Sequence, residues 1–246
     1  MTTYLARQLR FDLRSIAQRM SSLLIVVFWS LFCVVGIIGL AAQDVRAGHL
    51  DGLSDRLVSQ GYALLLAGSL IGAFLVTEED RWHSFAQSLR IAGSRETLLA
   101  SKLAGAALVG LIVGIYAVVL ALVTTWLVLD ARSLPFHVNG STFEIAGGVL
   151  LVCVTATVVG LALGLIVRTT TAALIVILFG RLGIEEGLLA SYPKIGKWTF
   201  AGSQASVYRD AATEHLAFLP GLALMLAWMV GLLLVGRQLF LTRDLA

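Results

Sequence analysis

Leu103-Ala-Gly-Ala-Ala-Leu-Val-Gly-Leu-Ile-Val-Gly-Ile-Tyr-Ala-Val-Val-Leu-Ala-Leu-Val-Thr-Thr-Trp-Leu-Val-Leu129 contains no charged residue. As a helix rising about 1.5 Å per residue, this run exceeds the roughly 30 Å hydrocarbon core of a bilayer. Lipid satisfies no backbone polar group, so a chain crossing it at this length closes its hydrogen bonds within the helix. Four more uncharged runs of spanning length surround it: Ser21–Gln43, Leu57–Thr77, Ile145–Val167 and Leu216–Gly236. A sixth, Thr169–Gly180, is short. It reaches spanning length only by continuing through Arg181, Glu185 and Glu186 to about Ala190. The expected fold is therefore an all-α polytopic membrane protein of six transmembrane helices in one domain, residues 1–246.

Composition agrees with that expectation. Of the 246 residues, 58% are hydrophobic and 13% charged. Soluble domains hold roughly 45–50% and about 25%. The net charge of +3 is small and dispersed, unlike a nucleic-acid-binding footprint. Cys33 and Cys153 lie inside apolar runs and read as small hydrophobes. The first apolar run exceeds the 7–15 residues of a signal-peptide core and reads as a retained span.

Lys and Arg set the orientation. With the N-terminus inside, eleven basic residues face the cytoplasm: Arg7, Arg10, Arg14, Arg19, Arg81, Arg90, Arg95, Lys102, Arg168, Arg237 and Arg243. The other seven are Arg46, Arg56, Arg132, Arg181, Lys194, Lys197 and Arg209. Both termini are then cytoplasmic. Pro135 and Pro193 punctuate outside loops, and Pro220 falls in the first turn of the last span, where proline is tolerated.

Three stretches outside the plain spans carry information. In Tyr4–Arg19, Leu5, Leu9, Leu13 and Ile16 recur at helical spacing opposite Arg7, Arg10 and Arg14. Residues 1–20 thus read as an amphipathic helix along the inner membrane surface. It is either a positive-inside flank or a support for a cytoplasmic partner. The connection after the second span, residues 78–98, opens with Glu78, Glu79 and Asp80. Trp82, Phe85 and Leu89 follow on one side of a short helix that Gly93 ends, and Ser94 with Thr97 starts the next helix. This is either a passive interfacial loop or the part of a transporter that receives a motor's push. After the fifth span, Arg181 and Glu185 stand at i,i+4 and can pair. Ile195, Trp198 and Phe200 suit short helices dipping into the outer leaflet, so residues 186–215 are expected to be extracellular or re-entrant. A structural ion pair is the other reading of that cluster.

Three small-xxx-small spacings, Gly68–Gly72, Gly110–Gly114 and Gly160–Gly164, would let helix backbones approach closely. They fit packing inside one bundle or a contact between subunits. No P-loop, His-Glu-x-x-His or Gly-x-Ser-x-Gly motif is present, and His49, His83, His137 and His215 are dispersed. Neither catalysis nor ATP binding is expected on this chain, and no metal or cofactor.

These features in order resemble the transmembrane permease subunits of ABC-2 type exporters, over nearly the whole chain. The resemblance rests on the basic N-terminal helix and on Thr77-Glu-Glu-Asp-Arg-Trp-His-Ser-Phe-Ala-Gln-Ser-Leu-Arg-Ile-Ala-Gly-Ser-Arg95 followed by Leu99-Ala-Ser-Lys-Leu103. It rests also on Gly160-Leu-Ala-Leu-Gly-Leu-Ile-Val-Arg168, on Glu185-Glu-Gly-Leu-Leu189 with Gly196-Lys-Trp198, and on the closing Leu241-Thr-Arg-Asp-Leu245. The sequence departs from the family's pattern at Ala92-Gly-Ser-Arg95, where a proline is common, and at Trp82-His-Ser84, where Gly-Thr or Gly-Ser is usual. The resemblance implies a permease dimer, homo- or heteromeric, in a bacterial inner membrane. Two separate ATPase subunits would lie beneath it, binding ATP and magnesium. It implies that Glu78, Glu79, Arg81, Trp82, Phe85, Arg90 and Arg95 contact the ATPase, and that Arg181, Glu185 and Glu186 sit at the extracellular gate. The substrate would be hydrophobic or amphipathic. A heme- or cytochrome-maturation-type permease is a narrower variant of this reading. An accessory or anchoring subunit without its own pore belongs to a different class.

Overall fold

The computed structural model describes residues 20–81, 94–210 and 215–242, with the backbone alone for Met20 and residues 78–81. The expected N-terminal amphipathic helix and the short helix of the 78–98 connection lie outside the described residues. So do Trp82, Phe85 and Arg90. Among the described residues every regular element is helical.

Five helices are long and apolar enough to cross a membrane. Helix α1 (Met20–Ala47) is followed by α2 (Leu53–Ser59), which continues through a 3₁₀ turn at Gln60–Leu64 into α3 (Leu65–Arg81). Next come α4 (Arg95–Asp130) and α5 (Gly140–Val167). The last is α10 (Phe218–Thr242). The stretch expected as a further span is helical but divided: α6 (Thr170–Leu178), a π-helical segment at Phe179–Glu185, and α7 (Glu186–Ser191). Two short helices follow, α8 (Pro193–Gly196) and α9 (Phe200–Tyr208). Pro193 thus opens a short helix at its first position, where its missing N–H costs nothing. At 36 residues, α4 is about 54 Å long, so its charged start at Arg95–Lys102 reaches beyond the apolar slab. Ser94 caps that start by accepting the Thr97 backbone N–H at 3.1 Å, which is the start expected there.

The α2–α3 unit and α5 form the buried centre, with α1, α4 and α10 outside them. Glycines make this centre. A Cβ on Gly160 of α5 would run into the Ser69 carbonyl of α3, and one on Gly72 of α3 into the Thr157 carbonyl of α5. On Gly110 of α4 a Cβ would lie 2.7 Å from the Val154 Cα of α5, and on Gly164 it would lie 2.8 Å from the Ala73 oxygen. The Thr157 side chain is fully buried where Gly68, Gly72 and Gly110 converge. Its hydroxyl donates to the Cys153 carbonyl at 2.8 Å, so the close fit leaves no polar atom unpaired. All three small-xxx-small pairs therefore pack against neighbours within this one chain.

Each end of the bundle is tied by side chains. At one end Arg95 donates to the Leu241 carbonyl (2.9 Å), Arg237 to Glu96 (2.7 Å), and Thr170 to Thr77 (3.2 Å). At the other, Asp55 of α2 accepts from both Ser141 and Thr142 at the start of α5, each at 2.6 Å. Arg56 reaches Asp44 at 3.4 Å, and Arg132 donates to the Ala41 carbonyl at 2.9 Å. Arg56 and Arg132, two of the basic residues assigned outside, are therefore held by partners within the chain.

Candidate functional site

The divided helix supplies the site. In an α-helix, residues i+4 and i+5 point in different directions from residue i. The i→i+5 bonding of a π-helix widens the turn, so both fall beside it. Arg181 lies in the π segment and uses this geometry. Its guanidinium meets Glu185 at 2.9 Å and Glu186 at 3.8 Å. Only 7% of Arg181 is exposed, so an unpaired charge there would be costly and the pairing is what makes burial tolerable. The sequence spacing foretold the Arg181–Glu185 pair. The π turn that adds Glu186 has no evident local signal.

Glu185 does more than neutralise Arg181. Its Oε2 also accepts the Ala201 backbone N–H at 3.2 Å. Ala201 is in the first turn of α9, whose N-terminal amides have no partner within the helix. Thr199 caps the same end by accepting from Gly202 at 3.2 Å. A carboxylate is also the favoured charge at a helix N-terminus. Glu185 thus joins the π segment to α9.

Helix α9 lies inside the bundle, with Ala201–Tyr208 all buried. The Trp198 carbonyl just before it accepts from Trp228 Nε1 at 3.2 Å, about 15 Å along α10 from Phe218. Beyond its other end Arg209 pairs with Glu144 in the first turns of α5, and Tyr208 stacks on Tyr62 with ring centroids 4.8 Å apart. So α9 begins halfway along the bundle and ends near its edge. Small residues allow the fit. A Cβ on Gly221 of α10 would strike Ser206, and one on Gly148 of α5 would strike the Val207 carbonyl. The run Thr199-Phe-Ala-Gly-Ser-Gln-Ala-Ser206, a capping residue before small side chains, was the signal for this buried helix. Ile195, Trp198 and Phe200 pointed to short helices here, as found, but not to the burial of α9. Ile195 and Trp198 are 60% and 57% exposed.

Between α3, α5, α6, α9 and α10 lies a cavity of about 340 Å³. Leu65, Leu66, Val159, Leu163 and Ile177 give it aliphatic walls, Phe200 and Trp228 aromatic ones, and Arg181 and Glu185 its only charged lining. Val176, Ile184 and Trp228, also in the lining, are 43%, 53% and 45% exposed, so the cavity opens sideways on the flank of the bundle. Its size falls in the range of ligand pockets, and apolar walls with few placed polar groups are their usual makeup. Trp228 was not foreseen. A tryptophan this deep in a span, away from the interfaces that tryptophans prefer, was its one signal.

Of the expected gate residues, Arg181 and Glu185 line this cavity and Glu186 stands beside them. Of the expected partner-contact residues, Glu78, Glu79 and Arg81 end α3. Arg95 starts α4, half-buried against the last turn of α10. Among the described residues no cluster of His, Cys, Asp and Glu suits a metal ion. In comparison with known proteins, the chain matches no family model and no curated protein.

Proposed function

We propose that this chain is the transmembrane permease subunit of an ATP-binding cassette exporter, moving a hydrophobic or amphipathic substrate across a bacterial inner membrane. The observation that carries this reading is the lateral apolar cavity with a buried ion pair at its wall, set in a bundle of spanning helices. A lipid-soluble molecule entering from the bilayer meets such a cavity without first crossing water. In this reading Thr170–Ser191 is the sixth span, fifth in order, and α8 and α9 re-enter the outer half of the bundle. Both termini then face the cytoplasm.

A separate ATPase supplies the energy, pressing on residues 78–98 and the start of α4. Arg95 and Glu96 there are bonded to Leu241 and Arg237 of α10, so a push on α4 is carried to α10. Helix α10 forms one wall of the cavity through Trp228 and Leu232, and its displacement changes the cavity's width. A second permease completes the pathway.

The test is purification of the tagged chain from its native membrane in mild detergent, with identification of whatever accompanies it. A stoichiometric partner carrying a Walker A motif is expected. Absence of any ATPase, under conditions that keep other complexes whole, overturns the reading in favour of an accessory subunit. With the complex in hand, Arg95→Ala is expected to lower transport-coupled ATP hydrolysis while assembly persists. Unchanged coupling removes Arg95 from the assigned contact.

A further inference from the structure

The charges at the cavity do not balance. One guanidinium, Arg181, stands against two carboxylates, Glu185 and Glu186, which leaves one negative charge over. Lys194 and Lys197, the nearest basic residues in sequence, form no ion pair with them among the described residues. With side chains 25% and 37% exposed, Glu185 and Glu186 are partly desolvated, and a cation brought beside them relieves the excess. The aromatic walls favour the same charge. Trp228 is fixed by its Nε1 bond to the Trp198 carbonyl, and Phe200 is held by the capped first turn of α9. Both rings line the cavity, and a cation near an aromatic face is attracted to it, more strongly as it is desolvated. The remaining lining is aliphatic and suits a hydrocarbon body.

We propose that the cavity binds a lipophilic cation, its charge beside Glu185 and Glu186 and its apolar groups against Leu65, Val159, Leu163 and Trp228. A lipophilic anion of the same shape meets the uncompensated carboxylate and is disfavoured. A neutral lipid chain gains the apolar walls alone. The proposal deepens the permease reading and rests on it for transport, not for binding.

Tetraphenylphosphonium and tetraphenylborate, ions of similar shape and opposite charge, separate these cases. The full chain is reconstituted in neutral-lipid nanodiscs, and binding is measured by equilibrium dialysis against discs without protein. Saturable binding of the phosphonium is expected, with the borate at least about tenfold weaker. Glu186→Gln balances the three charges while leaving the 2.9 Å Arg181–Glu185 pair in place. It is expected to weaken phosphonium binding about tenfold. Trp228→Leu, which removes the ring and keeps an apolar wall, is expected to weaken it severalfold. Equal or tighter binding of the borate overturns the proposal, as does phosphonium binding unchanged by Glu186→Gln. Neither outcome depends on an ATPase. A chain that binds the phosphonium but brings no ATPase refutes the permease reading alone, and one that brings the ATPase but binds both ions alike refutes the cation site alone.

Discussion

Helix α5 packs in opposite ways on two of its sides. Toward α3 and α4 it presents Gly160, Gly164 and Thr157, and the backbones approach so closely that a Cβ would not fit at Gly160 or Gly72. Toward α6 and α10 it presents Val159 and Leu163, and a cavity of about 340 Å³ remains, with an ion pair in its wall. Lipid offers no hydrophobic drive to close a gap between helices, so close packing has to come from small residues that let atoms meet. Where the glycines stop, the helices stand apart, and the space between them is open to a ligand. The same chain thus separates a rigid centre from an open flank by side-chain size.

The largest expected effect breaks the rigid side. Gly160→Leu puts a side chain where the Ser69 carbonyl lies, and α3 and α5 have to part. A loss of about 3 kcal/mol or more is expected, seen as a collapsed thermal transition and aggregated material in size-exclusion chromatography. Gly231→Leu on α10, where a Cβ has nothing within 4 Å, is the matched control and is expected to behave as wild type. If the two variants unfold alike, close α3–α5 packing is not what holds the centre.

The next effect falls on the open side. Arg181→Met leaves Glu185 in the cavity wall, and Glu186 beside it, without a cation. Removing one partner of a buried pair costs about 3–5 kcal/mol, and the 25% exposure of Glu185 places this one near the lower figure. The loss is expected in thermal unfolding of the purified chain, together with looser α9, whose first turn depends on Glu185. Adding Glu185→Gln to Arg181→Met removes one uncompensated charge and keeps a side-chain oxygen for Ala201. It is expected to recover part of the loss. A double variant weaker than the single would mean that the pair's charge is not what matters.

How far the sequence foretells these two sides follows from the range of the forces involved. The five uncharged runs are local properties and correspond to the five long helices. The glycine spacings mark close packing, and the structure supplies the partners that spacing alone left open. Arg181 and Glu185 pair as their separation of four suggests. What was not legible depends on contacts distant in sequence. The bond from Glu185 to Ala201 spans 16 residues, and Trp228 enters the cavity wall through α10. The π segment is a backbone compromise between α6 and α7 that no residue type announces. Short helices are expected within residues 186–215, but the burial of α9 depends on its small residues meeting Gly148 of α5 and Gly221 of α10, which are distant in sequence.

A smaller effect, of opposite sign, concerns Gln204. It is fully buried on α9, four residues from Phe200 in the cavity wall and four from Tyr208 on the tyrosine stack. Neither atom of its amide has a hydrogen-bond partner among the described residues. A buried unpaired polar group costs about 1–3 kcal/mol. Gln204→Met keeps the shape and removes the polar atoms, so a gain of about 1 kcal/mol in thermal stability is expected. A loss instead would show that the amide has a partner in the native membrane, and water reaching in from the cavity would then be the first to examine.

The smallest effect tests burial as the cause of the contrast. Arg237 and Glu96 form an ion pair at 2.7 Å, closer than the Arg181–Glu185 pair, with side chains 48% and 69% exposed. Coulomb attraction at such a site is weakened by solvent and opposed by the entropy of fixing two long side chains, so exposed pairs contribute about 0.2–1 kcal/mol. Arg237→Ala is expected to lower stability by about 0.5 kcal/mol or less, with a difference that fades as salt is raised. Arg181→Met is expected to keep its loss in the same salt series, because its charges are shielded by protein. Equal losses in the two variants, or equal salt dependence, would remove burial as the distinction and leave the cavity wall no different electrostatically from the rim of the bundle.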